Sequence, residues 1–112
     1  MAHKLLDAVG VSGASAAVIL SEIVGAHTVQ IMTTTAATAV VIDLEGSLSN
    51  RGTASPTWFA LASYTFTAAD LAAKKAMFHV ADKPVKQVRL NLTTYTPASG
   101  TLTALYTPAE VV

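Results

Sequence analysis

Cysteine is absent from the 112 residues, which excludes disulfides, thiolate nucleophiles and cysteine metal ligands and leaves the redox compartment unspecified. Charge is scarce too: Asp, Glu, Lys and Arg make up 12% of the chain, against roughly 25% for an ordinary soluble domain. Seven basic side chains balance seven acidic ones, so no field draws in a phosphate backbone and nucleic acid is not expected as a partner. A membrane span is equally unexpected. The 20 residues from Ile23 to Ile42 carry no formal charge, but five threonines, a glutamine and a histidine interrupt them. They read as a β hairpin turning about Thr34 to Thr38, not as a transmembrane helix.

Threonine and alanine, 15 and 21 residues, stand where charge is missing. Apolar residues at 52% supply ample core material, and the length suits one domain. A surface of Thr, Ser and Ala on strands is low in charge and in side-chain entropy, which suits close contact with other protein.

The organising stretch runs from Ala39 to Ala62. Val40, Ile42, Leu44 and Leu48 alternate with Val41, Asp43, Glu45 and Ser47, the two-residue period of a half-buried strand. Ser49 to Pro56 supplies turn chemistry, and the return strand from Thr57 to Phe66 places Trp58, Ala60, Ala62, Tyr64 and Phe66 on one side. Further strands are expected at Ala16 to Leu20, His27 to Thr33, Lys75 to Val80, Gln87 to Thr93 and Thr101 to Tyr106. Asp82-Lys83-Pro84 and Thr96 to Gly100 read as hairpin turns between the later ones. Thr67 and Asp70 have capping-box spacing and predict one or two helical turns. Short strands at this spacing with one helical insertion predict an all-β, single-domain antiparallel β-sandwich or jelly roll. Its expected core includes Ile42, Leu44, Trp58, Phe78, Val88, Leu90 and Leu92. Residues 1–14 read as an N-terminal arm, 15–107 as the sandwich domain and 108–112 as a C-terminal tail. A secretory signal over Lys4 to Ala26 is the rival reading of the start, disrupted by Asp7 and Glu22.

Chemistry-bearing patterns are few. Asp43 and Glu45 share a strand face, as paired carboxylates for acid/base work would, but a wet strand face commonly carries acids for solubility alone. His3, His27 and His79 show no metal-ligand spacing. No nucleophile elbow or phosphate loop occurs, and Asn91-Leu92-Thr93 is a glycosylation pattern inside a strand. No catalytic, cofactor-binding or metal residue is assigned, and no cofactor is expected. Trp58, Tyr64, Tyr95 and Tyr106 could form a sugar-stacking platform, although aromatics of this parity are more often core.

The segments Val41-Ile42-Asp43-Leu44-Glu45-Gly46-Ser47-Leu48, Trp58-Phe59-Ala60-Leu61, Phe78-His79-Val80, Val88-Arg89-Leu90-Asn91-Leu92 and Gly100-Thr101-Leu102-Thr103 follow one another in a familiar order. The pattern, from about Val29 to Tyr106, resembles small β-sandwich virion proteins of tailed bacteriophages, in particular capsid decoration proteins, also called cement or staple proteins. Where that family commonly has Asp-Gly after Ser-Leu, this chain has Ser49-Asn50-Arg51-Gly52 and a longer loop. The resemblance implies a non-enzymatic protein on the capsid exterior. It would bind the major capsid protein, clamp neighbouring capsomers and form a homo-oligomer, with a two-fold dimer favoured. Glu-Gly-Ser-Leu before a Trp strand also occurs in phage tail and fibre components, which makes a carbohydrate- or receptor-binding module the alternative. Leu5, Leu6, Val9, Val11, Val111 and Val112 lie outside the alternating strands and are the expected capsid or subunit contacts. On this reading, deleting residues 1–11 should leave the melting temperature unchanged and remove capsid binding.

Overall fold

Strict alternation of apolar and polar residues can be satisfied only by strands with one face against a core, and two such sheets cover each other. The structure is a computed structural model that describes residues 3–34, 37–48, 57–96 and 100–108. Along the chain lie β1 (His3–Val9), β2 (Gly13–Ala14), β3 (Val18–Val24), β4 (His27–Thr33), β5 (Ala39–Ser47), β6 (Phe59–Thr65), α1 (Ala68–Ala73), β7 (Lys75–Val80), β8 (Val85–Thr96) and β9 (Leu102–Pro108). The first sheet has the order β1-β9-β4-β7 and the second β2-β8-β5-β6, with β3 also paired to β8. Every pairing is antiparallel.

The topology follows from treating β2 and β3 as one interrupted strand. Then β1–β9, β2/β3–β8, β4–β7 and β5–β6 form one long antiparallel ribbon with β5–β6 at its tip. Rolling that ribbon brings β9 against β4 and β8 against β5, which is the expected jelly roll. Val29, Ile31, Ala104 and Tyr106 of the first sheet and Ile42, Leu44, Val88, Leu90 and Leu92 of the second are all fully buried between the layers.

Only one of the expected hairpins is a hairpin. β5 and β6 pair directly, whereas the connections after β4, β7 and β8 each carry the chain from one sheet to the other. Alternation marks the buried face of each strand, but a strand that crosses the core has the same pattern as one that returns beside its predecessor.

A bulge in β6 overturns the expected facing of Trp58, and a second bulge, in β8, turns Tyr95 to the core. In the β5–β6 pair, Leu44 lies opposite Ala62 and Glu45 opposite Ala60, so Leu61 is an extra residue. One extra residue reverses the facing of everything before it. Trp58 therefore leaves the core side shared by Ala62, Tyr64 and Phe66 and lies half-buried at the surface. Gly46 accommodates the bulge: a Cβ there would lie 2.8 Å from Leu61 Cδ1 and from Val85 Cγ1. In β8 the extra residue is Thr93, because Val41 pairs with Thr94 and Ile42 with Leu92. The Thr93 hydroxyl donates to the Val41 carbonyl, and Tyr95 turns inward to be buried opposite Val40. Phe78 is half-buried and stacks on Tyr64 at 5.2 Å. Ser47 is buried and Leu48 exposed, the reverse of the expected parity at the end of β5.

The predicted capping box is present. Thr67 Oγ1 accepts from the Asp70 N–H and Asp70 Oδ2 accepts from the Thr67 N–H. Tyr64 donates its hydroxyl to the same carboxylate oxygen at 2.6 Å. That bond holds the Asp70 carboxyl below its usual range and raises the Tyr64 phenol. Lys74 ends the helix in the left-handed region, φ 63°, with its N–H donating to the Asp70 carbonyl. No helix among the described residues is long and apolar enough to cross a membrane.

Candidate functional site

The segment expected to be an arm is in part a strand. His3–Val9 pairs with β9 along the edge of the first sheet. Leu6 is 4% exposed and belongs to the core, and Leu5 and Val9 are half-buried against it. Parity could not reveal this, because two irregularities interrupt the β1 register. Ala8, at φ 51°, lies in the left-handed region there and donates its N–H to Thr103 Oγ1. A truncation lacking residues 1–11 is therefore expected to lose stability along with any binding. Val11, 71% exposed, keeps the character of a contact residue. Val111 and Val112 lie outside the described residues, as does most of the loop between β5 and β6.

On the outer face of the second sheet Glu45 lies opposite Arg89 and Asp43 opposite Asn91. Arg89 Nε donates to Glu45 Oε1 at 2.6 Å, and Asn91 Nδ2 donates to Oε2 at 3.4 Å. The Arg89 guanidinium lies 4.7 Å from the centre of the Trp58 ring, a cation–π contact. Both oxygens of the Glu45 carboxylate are thus engaged across the strand pair by Arg89 and Asn91. Among the described residues no donor reaches the buried Asp43 Oδ1. The four aromatics considered for a sugar platform do not share a face: Tyr95 and Tyr106 are buried, Tyr64 packs beneath Asp70, and Trp58 lies under Arg89.

The three histidines converge at one end of the first sheet without forming a metal centre. Among the described residues no three His, Asp or Glu side chains are grouped for a metal ion. His3 and His27 stack on Tyr106, with ring centres 6.3 and 5.7 Å away. His79 lies on the outer face against the Thr28 hydroxyl. His27 is fully buried, with Nε2 3.0 Å from the Lys83 carbonyl and Nδ1 2.6 Å from the Tyr106 hydroxyl. A carbonyl only accepts, so Nε2 carries the proton and Nδ1 accepts from Tyr106. Burial lowers the His27 pKa despite the opposing Lys83 bond, and His79 lowers it further; burial likewise raises the Tyr106 phenol.

A folded pKa below the unfolded 6.5 means that stability is complete above pH 6.5 and falls as acid protonates the unfolded chain first. The slope contributed by this single proton approaches about 1.4 kcal/mol per pH unit until the folded pKa is reached. Denaturation midpoints measured through this window should fall with pH, and ring nitrogen spectra should show His27 still as the neutral Nε2–H tautomer just below pH 6.5. A protonated His27 there would contradict the assignment.

Beyond Val11, sequence reasoning singled out none of the exposed large apolar residues as contacts. Leu48 and Phe59, each 64% exposed, flank the tip of the β5–β6 hairpin, where Phe59 pairs with Gly46. Leu48 has an inward parity in the sequence, whereas alternation in the return strand sets Phe59 on the side away from Trp58, Ala60, Ala62, Tyr64 and Phe66. Ile19, opposite Gln87 and in line with Ser47, is exposed at the same end of the second sheet. Val11 lies toward the other end, where β2 pairs with Leu92. A groove of about 590 Å³ runs between α1 and the outer face of the first sheet, with Met32, Met77, Ala69 and Ala73 among its lining residues. Comparison with protein-family models and with curated proteins finds no match to this chain.

Proposed function

We propose that this chain is a non-enzymatic virion structural protein, a decoration protein that binds the outside of a bacteriophage capsid and clamps neighbouring capsomers. The observation that carries the reading is the placement of large apolar side chains in the open on a charge-poor jelly roll, above all Leu48 and Phe59 at the hairpin tip. Exposed apolar groups grouped on an otherwise polar rim mark protein interaction surface. Burying two such side chains against a partner would contribute roughly 1.5–3 kcal/mol each before ordering costs, repeated at every copy on a shell. The resemblance of the strand pattern to capsid decoration proteins supports the same reading, with the major capsid protein as partner and the capsid exterior as location.

The test is binding of the purified protein to undecorated capsids, with copy number read by quantitative gel. Occupancy comparable with the number of capsomers, lost in a Leu48→Ser, Phe59→Ser variant of unchanged melting temperature, is the expected result. Occupancy of only a few copies, together with a glycan array response that requires Trp58, would replace this reading by the receptor-binding module of a tail or fibre.

A further inference from the structure

We infer that β7 is an acceptor edge, which takes up by strand addition an extended segment of another protein, apolar at its centre and carrying an acidic side chain opposite Lys75. An unpaired edge strand invites another strand unless bulges, charge, proline or brevity discourage it. β1 is broken by two irregularities and carries the Lys4–Asp7 ion pair. At the outer edge of the second sheet β2 has two residues, and β3 shifts register between Ile19 and Val24. β6 carries the Leu61 bulge. β7 has no bulge and no proline: its six residues pair one for one with His27 to Met32, and its only charged residue is Lys75 at the start.

The outward backbone groups of β7 can be assigned. Thr33 donates its N–H to the Lys74 carbonyl at 3.0 Å. Antiparallel alternation then turns the N–H and C=O of Ala76, Phe78 and Val80 toward β4, and those of Lys75, Met77 and His79 toward the open edge. The groove of about 590 Å³ opens beside Lys75 and Met77, with the small side chains of Ala69 and Ala73 on its helix side. Met77, at 59% exposure, is an adaptable apolar surface there.

Main chain, apolar surface and charge together define the occupant. Outward N–H and C=O groups at every second residue are matched in full by another extended backbone. Strand addition of this kind takes affinity from the main chain and specificity from alternate side chains. Every pairing in the molecule is antiparallel, and in that sense a segment as long as β7, six residues, sets its last residue opposite Lys75. Its fourth side chain then joins Met77 on the groove face, and its third covers the half-buried Phe78 on the inner face. Lys75 is exposed, and among the described residues no carboxylate pairs with it. Asp70, which also lines the groove, turns its Oδ2 to the Thr67 N–H and the Tyr64 hydroxyl. An acid opposite Lys75 therefore has to come from the occupant. β7 reads Lys-Ala-Met-Phe-His-Val, so the same strand of a second copy brings no acid, and a different, acidic segment fits the edge.

The probe is the blocked peptide acetyl-Val-Thr-Val-Leu-Thr-Glu-amide, titrated into the full chain, with amide hydrogen exchange followed residue by residue. The Lys75, Met77 and His79 amides should gain protection, while those of Ala76, Phe78 and Val80, already in the β4 ladder, should change little. Met77→Pro removes an outward N–H without touching that ladder and should abolish binding. A peptide ending in Lys instead of Glu should bind roughly fivefold more weakly, and Lys75→Glu should reverse the preference. Lys75→Glu changes only an exposed side chain, so the charge exchange decides the matter even where Met77→Pro fails to fold. No binding, binding without protection of the three amides, or binding indifferent to the terminal charge overturns the inference. Protection of the same amides in the protein alone, rising with its concentration, would give the edge to a second copy and overturn it equally. Only the free protein and a synthetic peptide are measured, so each result is independent of whether the capsid reading stands.

Discussion

Replacing Leu90 by aspartate is expected to abolish soluble folding. Leu90 is fully buried opposite Leu44 in the middle of β8, and its backbone is bonded on the far side to Ser15, whose N–H donates to the Leu90 carbonyl and whose hydroxyl accepts its N–H. The substitution deletes a core side chain, which costs about 2–5 kcal/mol in comparable sites. It also places a carboxylate among the buried apolar side chains of the core, at a further cost of several kcal/mol. Together these match the whole stability of a domain of this size, roughly 5–15 kcal/mol. Leu90→Met, which keeps volume and polarity, should cost less than about 1.5 kcal/mol. Dispersed amide spectra and a cooperative melt for Leu90→Asp would show that the inward facing of β8 is wrong.

Tyr106→Ala carries the second largest expected effect. The ring is fully buried between His3 and His27, and its hydroxyl is the donor to His27 Nδ1. Truncation should cost roughly 3–5 kcal/mol through the cavity left behind. Tyr106→Phe keeps the stack but orphans Nδ1 inside the protein, for about 1–3 kcal/mol. Denaturant titration of both variants separates packing from polarity. Equal losses would assign the site to the hydrogen bond, and no loss in Tyr106→Phe would mean that the bond contributes nothing to stability.

These two sites illustrate what could be read from the chain and what could not. Leu90 was legible because β8 is regular over Val88 to Leu92, and face assignment needs only local alternation. The helix was legible because the Thr67–Asp70 capping box is closed within four residues. Trp58 is not legible because Leu61 adds one residue to β6, and a bulge is set by packing across the sheet, here by the space above Gly46. The His27–Tyr106 network was hidden for a related reason: its partners are 79 residues apart, and no local pattern joins them. Leu6 is not legible as core because the β1 register is irregular, which leaves no alternation to mark its face. Leu48 is not legible as part of the apolar tip because exposure at a strand end does not follow parity.

The rolled ribbon also dictates an order of events in time. Its tip, β5 with β6, joins residues about a dozen positions apart, whereas its ends, His3 and Tyr106, are about a hundred apart. Closing the larger loop from an unstructured chain costs about 2 kcal/mol more in chain entropy than closing the smaller. The ribbon therefore has one inexpensive starting point and must zip from there toward both ends, each pairing shortening the loop for the next. Such a chain folds slowly for its size, as proteins dominated by distant pairings do, and β1 on β9 is the last closure made.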